Sequence, residues 1–585
     1  MSNLFAPPKP SLVAAHETAT TPGSCSWKAK GKKKAGSVNS LIPLEWRIPG
    51  GVPSIKDQRD VRGPYIHQFL SPREIEITET DAVEIVNNTS AGTWTAVEVT
   101  TAFCHRAALA HQLTHCLHEI FFTDAIANAQ RLDAEFAITK LPVGPLHGLP
   151  ISLKDQVHVA GVETTMGYVG WIDTFEGKKG TGKEKVFESE VARELRAAGA
   201  ILFCKTSVPH TLMAFETVNN IIEYTENPAN RNVSCGGSSG GEGALIGLRG
   251  SPMGLGTDIG GSIRAPCSWN GLYGLRPSHG RLPYTGVANS MPGQTEMPSV
   301  IGPLATSAGS LRLMVKALLG QEPWLYDPQV IEMPWRDVHE EAIFQAIKLK
   351  EKGQRLIFGM FHSDGLVNPQ PPVRRALQLV ESLVKKLGHE VIEWKPPSHQ
   401  RATGIAFDIY TSDGGVDVHN CFRLSGETPA PQISTFYGAC PSAAVPVDKM
   451  HAISLRSRDY QQEYLDYWNS TARLTSSGRP VDGIIACVTP FAAAERGKDG
   501  YLGGTPWVNL LDYTAVTVPV TEVDSAVDIF EVDYQPISEE DRKIWKNYDP
   551  ELHHGTPVGV QIVGRRLQEE KMIGIAEMFE SALRS

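Results

Sequence analysis

Two glycine clusters, each ending on serine hydroxyls, stand in one stretch of the chain between Ser234 and Ser278: Gly236-Gly237-Ser238-Ser239 and Gly260-Gly261-Ser262. Dense glycine lets a backbone adopt positive φ and come close to a ligand or another backbone. A run of N–H groups leading into a serine suits acyl transfer. The hydroxyl attacks a carbonyl carbon while the amides of Ile259, Gly260, Gly261 and Ser262 converge on the oxyanion that develops. Glycine used only for tight packing would account for either cluster alone. Two other ligand chemistries fail on spacing. Gly236 to Gly243 lacks the terminal G-K-[ST] of a phosphate loop, and Gly254-Leu255-Gly256-Thr257-Asp258-Ile259 has isoleucine where a dinucleotide fingerprint wants its third glycine. One alternative stays open. Gly236-Gly237-Ser238-Ser239-Gly240 fits the G-x-S-x-G elbow of α/β-hydrolases, with His147-Gly148 upstream and His553 or His554 downstream as the base.

Beyond these clusters, Leu146-His147-Gly148-Leu149-Pro150-Ile151-Ser152-Leu153-Lys154-Asp155 places a lysine at the end of a short apolar strand. Taken with Ser234 to Ser278, this segment resembles the amidase-signature family almost position for position. Lys205-Thr206-Ser207-Val208-Pro209 and Pro557 to Gly564 match further family segments. The likeness is to the fungal acetamidase type in particular. It runs from about Ile42 to the C-terminus and includes Glu216 to Ile222 and Gly274 to Arg281. The resemblance implies Ser262 as nucleophile, Ser238 as proton bridge, Lys154 as base, and a cis peptide bond before Ser238. It also implies an α/β fold with a large mixed β-sheet covered by helices on both sides, and a reaction that uses no cofactor and no metal. The Lys-rich start, the stretch from Pro429 to Val447 and Cys487 depart from the acetamidase pattern, and they leave the catalytic set intact.

The chemistry explains why such a set is needed. An amide nitrogen leaves poorly unless protonated, so the base that takes the serine proton must hand one back. A lysine does this only when neutral. From a reference pKa near 10.4, holding it neutral at pH 7 costs about 4 to 5 kcal/mol, which burial must supply. Asp155 would oppose that if it lay close, but neighbouring strand residues face opposite sides, so Asp155 is expected to point away. The expected reaction is hydrolysis of a small or medium carboxamide to a carboxylate and ammonia or an amine, through an acyl-enzyme.

Positioning falls to an α/β frame. Thr95 to Asp133 reads as two helices, Ile151 to Lys154 as a strand, Val191 to Ala198 as a helix and Ala200 to Cys204 as a buried strand. Later strands are expected at Gly483 to Ala486, Ala515 to Val520 and Val558 to Val563, with a last helix over Glu569 to Leu583. Pro429 to Val447 reads as a surface loop. Tyr460, Tyr464, Tyr467 and Trp468 form an aromatic stripe at helical spacing, best read as core. His111, His115 and His118 read as one helix, where packing or surface roles outweigh a metal site.

The chain has 585 residues, a net charge of −10 and 41% hydrophobic content. That charge argues against a nucleic-acid partner. No apolar run approaches the ~20 residues needed to span a bilayer. Nine cysteines, odd in number and without C-x-x-C, suit a reducing compartment, with the cytoplasm as default. Residues 1–41 are expected to be a disordered extension and 42–585 a single amidase domain. Lys28, Lys30, Lys32, Lys33 and Lys34 are expected to be a solvated tail rather than a nuclear address. The alternative to a self-sufficient enzyme, which could be a homo-oligomer, is a subunit of an amidotransferase-like assembly.

Overall fold

The computed structural model describes residues 26–348, 355–498, 501 and 503–584. Its frame is an 11-stranded mixed sheet. The N-terminal half contributes β1 (Leu117–Ile120), β2 (Pro150–Lys154) and β3 (Ile201–Thr206), then a small hairpin of β4 (Val218–Asn219) and β5 (Glu223–Tyr224) outside the sheet. The central block adds β6 (Met253–Asp258), β7 (Tyr273–Arg276) and β8 (Val300–Ala305). The remainder adds β9 (Ile357–Phe361), β10 (Glu390–Glu393), β11 (Gly483–Cys487), β12 (Ala515–Glu522) and β13 (Pro557–Val563). Their order across the sheet is β1-β3-β2-β6-β8-β7-β12-β13-β11-β9-β10.

Strands β3, β2 and β6 run parallel, and parallel strands are covered on both faces. Strand β3 shows this directly. Leu202 belongs to the same buried cluster as Val191 and Leu195, while Ile201 and Phe203 belong to a second cluster with Leu109 and Leu245. Helices therefore lie on both sides, as expected. The predicted helix pair is Ala96–Thr114 and Phe122–Thr139; Thr95 caps the first by accepting from the Glu98 N–H.

Three expectations change. The first helix stops at Thr114, with His115 left-handed at φ 55°, and His118 stands on β1, so the three histidines do not share a helix. Residues 27–40, assigned above to a disordered extension, form a helix capped by Ser26. Gly31, Lys34 and Val38 lie on one face of it: Gly31 abuts the Asn220 carbonyl, and Lys34 Nζ pairs with Glu119 and, at 2.7 Å, with Glu163. The docking face uses a glycine and a lysine in place of a hydrophobic stripe, so it writes no apolar period into the sequence. Residues 1–25 lie outside the described residues. Lastly, Pro429 to Val447 is not all loop. Pro431–Tyr437 is helical, with Pro431 at the first turn, and it buries Ile433 and Tyr437. The aromatic stripe behaves as core, with Tyr460, Tyr464 and Trp468 fully buried near Trp394, Trp507 and Tyr513.

Candidate active site

Strand register brings the lysine to the glycine-rich block. Ser152 of β2 stands opposite Gly254 of β6, and Leu153 opposite Leu255, so Lys154 reaches the end of β6 beside Thr257. With a side-chain period of two, Ser152 and Lys154 share a face. Both use it to meet the first glycine-serine cluster and the helix that follows it. Ser152 Oγ donates to Glu242 Oε2 at 2.6 Å, and Lys154 Nζ lies 2.7 Å from Ser238 Oγ. Glu242 sits in the helix Gly240–Gly247, which follows Ser239 directly. That helix can settle on β6 only because residue 254 is glycine; a Cβ there would lie 2.0 Å from Glu242 Oε2. The peptide bond Gly237-Ser238 is cis.

Lys154 is fully buried, and burial pulls its pKa from 10.5 down to about 7, against the opposing pull of the Asp258 and Glu242 carboxylates. Glu242 moves the other way, to about 7, because burial outweighs its two hydroxyl donors, Ser152 and Thr206, and Lys154. Asp155 is occupied elsewhere, as expected. Its carboxylate pairs with Lys205 at 3.0 Å and accepts from the Met166 N–H at 2.8 Å. Lys154 Nζ also lies 2.8 Å from Thr257 Oγ1, whose own proton goes to Gln156 Oε1 at 2.7 Å. Gln156 is held in that orientation because its Nε2 donates to the Ala288 carbonyl and to Tyr284. Thr257 is therefore an acceptor toward the lysine.

The loop after β6 carries Ser262, 5% exposed, into the helix Arg264–Asn270. Asp258 organises it by accepting from the Gly261 and Ile263 N–H groups, from Asn509 and from the Arg264 guanidinium. Burial alone would raise the Asp258 pKa, but Arg264 and the hydrogen bonds hold it well below the carboxylate range. Asp258 and Arg264 thus brace the loop. The Gly261 N–H, counted above among the oxyanion donors, already has Asp258 Oδ1 at 2.8 Å. Ile259, Gly260 and Ser262 keep their amides out of that carboxylate cage.

Ser238, Thr257, Ile259 and Ser262 line one small cavity, closed by Leu212, Met213, Met291, Tyr410 and Tyr437. Its free space for water centres is about 10 Å³, close to what one ordered water requires. The buried Tyr437 hydroxyl has no hydrogen-bond partner among the described residues. Among the described residues no histidine lines the cavity. His553 Nδ1 meets the Asp549 carbonyl and His554 Nδ1 accepts from the Ser525 N–H, and neither is among the residues lining the cavity that holds Ser238. His111 and His118 are likewise engaged, with the Leu117 N–H and with Asn219.

Thr257, Gln156, Glu242 and Tyr410 escaped the sequence reading. Thr257 and Gln156 had a signal, since each lies within two residues of a motif position. Tyr410 had none, because it arrives from a distant helix, His399–Tyr410.

Comparison with known proteins gives the family. The family model described as Amidase matches residues 98–573. The chain is 46% identical to an acetamidase of Aspergillus oryzae, over 95% of this chain and 98% of that one. It is 45% identical to an acetamidase of Emericella nidulans, over 94% and 97% of the two chains. Among solved structures, a fatty acid amide hydrolase superposes with a TM-score of 0.85 at 31% identity, covering 95% of both chains. Among the described residues, no helix is long and apolar enough to cross a membrane. The chain belongs to the amidase family and is an amide hydrolase.

Proposed function

We propose that the chain hydrolyses a small carboxamide through an acyl-enzyme on Ser262, with Ser238 relaying protons and Lys154 as base. The observation that carries this reading is the Lys154 amine, buried and 2.7 Å from Ser238 Oγ, with its pKa brought down to about 7. At that value half the enzyme holds a neutral amine at pH 7, against roughly one molecule in three thousand for an ordinary lysine. Because Thr257 is oriented as an acceptor, one amine N–H is directed to it and the lone pair is free to face Ser238.

Ser262 Oγ attacks the carbonyl carbon and its proton passes through Ser238 to Lys154. The amides of Ile259, Gly260 and Ser262 support the oxyanion. The ammonium then returns the proton through Ser238 to the leaving nitrogen, and the C–N bond breaks. Water, activated by the same relay, releases the carboxylate.

The tight cavity and the acetamidase relatives support an acetamide-sized substrate. The test is ammonia release by the purified chain across aliphatic, aromatic and long-chain primary amides. Short aliphatic amides should turn over fastest. A fluorophosphonate should label Ser262, and Ser262→Ala should abolish that label. A label on Ser238 or Ser239 would sink the assignment.

A further inference from the structure

The backbone of the nucleophile loop is held from outside the glycine-rich block. Tyr410, the last residue of the helix His399–Tyr410, donates its hydroxyl to the Ile259 carbonyl at 2.7 Å. That carbonyl and the Gly260 N–H belong to one peptide unit, which is trans. In a planar trans peptide the oxygen and the amide hydrogen point in opposite directions. Fixing the Ile259 oxygen therefore fixes the direction of the Gly260 N–H. The next peptide unit is pinned at both ends: Thr505 Oγ1 donates to the Gly260 carbonyl, and the Gly261 N–H donates to Asp258. The Gly260 N–H itself meets no acceptor among the described residues. The Gly260 N–H is thus presented while the carbonyls on both sides of it are fastened. Residue 260 must also be glycine for this contact, because a Cβ there would lie 2.7 Å from the Tyr410 hydroxyl.

We infer that Tyr410 is a positioning residue for the oxyanion site, holding the Ile259-Gly260 peptide so that its N–H meets the charge that develops during attack by Ser262. The inference rests on the reaction proposed above. It assigns to the hydroxyl a role distinct from that of the ring, which closes the cavity wall. A donor held in advance costs no reorganisation when the charge appears, and deleting an oxyanion donor typically lowers turnover by ~10² to 10³. Releasing rather than deleting one should cost less.

The experiment compares Tyr410→Phe with the unaltered enzyme on one short primary amide. Loss of the hydroxyl should lower kcat about 10- to 100-fold with KM within twofold. The affinity for a trifluoromethyl ketone, whose adduct with the serine is tetrahedral and anionic, should fall by the same factor as kcat/KM. The acid limb of the pH–rate profile should stay where it is, since Lys154 is untouched. Unchanged kcat and adduct affinity, or a loss confined to KM, would overturn the inference and leave Tyr410 as wall. Phenylalanine keeps every ring contact. Should that variant nevertheless fail to fold, 4-aminophenylalanine at position 410 carries the test, because it restores a donor at the same point. Turnover within about threefold of the unaltered enzyme supports the inference, and a hundredfold loss overturns it. If the unaltered enzyme neither labels on Ser262 nor releases ammonia, it is the proposed reaction that fails. If it does both and Tyr410→Phe matches it in kcat and adduct affinity, only the role of Tyr410 fails.

Discussion

At the scale of single residues, the lysine carries the argument. As the proposed base Lys154 works only in its neutral form, and its folded pKa of about 7 lies below the 10.5 of an exposed lysine. Activity should therefore rise through about pH 7 and hold a plateau on the alkaline side until the fold fails. The sign for stability follows the same shift. Between about pH 7 and 10.5 the unfolded chain binds the proton that the folded chain has released, so this group's contribution to stability grows across that window. Lys154→Ala should lower amide turnover by several orders of magnitude and ester turnover by less. In the proposed reaction Lys154 serves an amide as base and then as acid, whereas an alkoxide leaves with little help. Rates on an amide and an ester with the same acyl group check this. Equal losses would confine Lys154 to the base role. The direction of Asp155 was legible in the sequence from strand alternation alone. Thr257 was not, because its role depends on where Gln156 sends its amide.

At the scale of elements, the loop between β6 and the helix Arg264–Asn270 is a short frame held by Asp258, Thr505 and Tyr410. Gly261 has φ +121°, and a Cβ on it would lie 2.8 Å from the Thr505 side chain. Gly261→Ala should therefore strain the backbone by about 1 to 3 kcal/mol and displace Ser262. The expected outcome is a lower thermal midpoint together with a loss of amide turnover of more than a hundredfold, since misplacing a reacting group by about 1 Å costs that much. An active variant with an unshifted midpoint would contradict the account. Strand β6 itself was hard to read. Met-Gly-Leu-Gly-Thr-Asp shows too little β-branched character, and its glycines serve the close approach of Glu242 and Ser239. By contrast, the strand Ile201–Thr206 was legible because an apolar run buried on both faces leaves little alternative.

At the scale of the whole molecule, the helix Trp27–Ser40 is fastened to the body by one mostly buried cation. Lys34 bridges Glu119 and Glu163, with side-chain exposures of 12%, 10% and 5%. Burial opposes its charge, but the two carboxylates more than compensate and hold the amine protonated. Removing it leaves two carboxylates facing each other out of water. Lys34→Met should destabilise the fold by about 3 kcal/mol, with turnover at 25 °C kept close to that of the unaltered enzyme. Chemical denaturation and ammonia release measure the two quantities. A stability change under about 1 kcal/mol would show that the bridge is not what fastens the helix.

The sequence by itself determined the family and, with it, amide hydrolysis. The proposed nucleophile, its proposed relay and the amides around them are carried by contiguous glycine-serine motifs, whose local conformational demands leave a trace in residue type. It also determined the α/β frame, since buried strands and amphipathic helices write their periods into the chain. Only the tertiary structure decided what tunes and holds that chemistry. The pKa of Lys154 depends on burial and on two carboxylates brought from other segments. The direction of the Gly260 N–H depends on Tyr410, which has no motif of its own. The N-terminal helix docks through glycine and lysine, which reads in sequence as solvent-exposed tail. Each of these is a long-range convergence, set by packing between elements far apart in the chain, and such contacts leave no period in the chain itself.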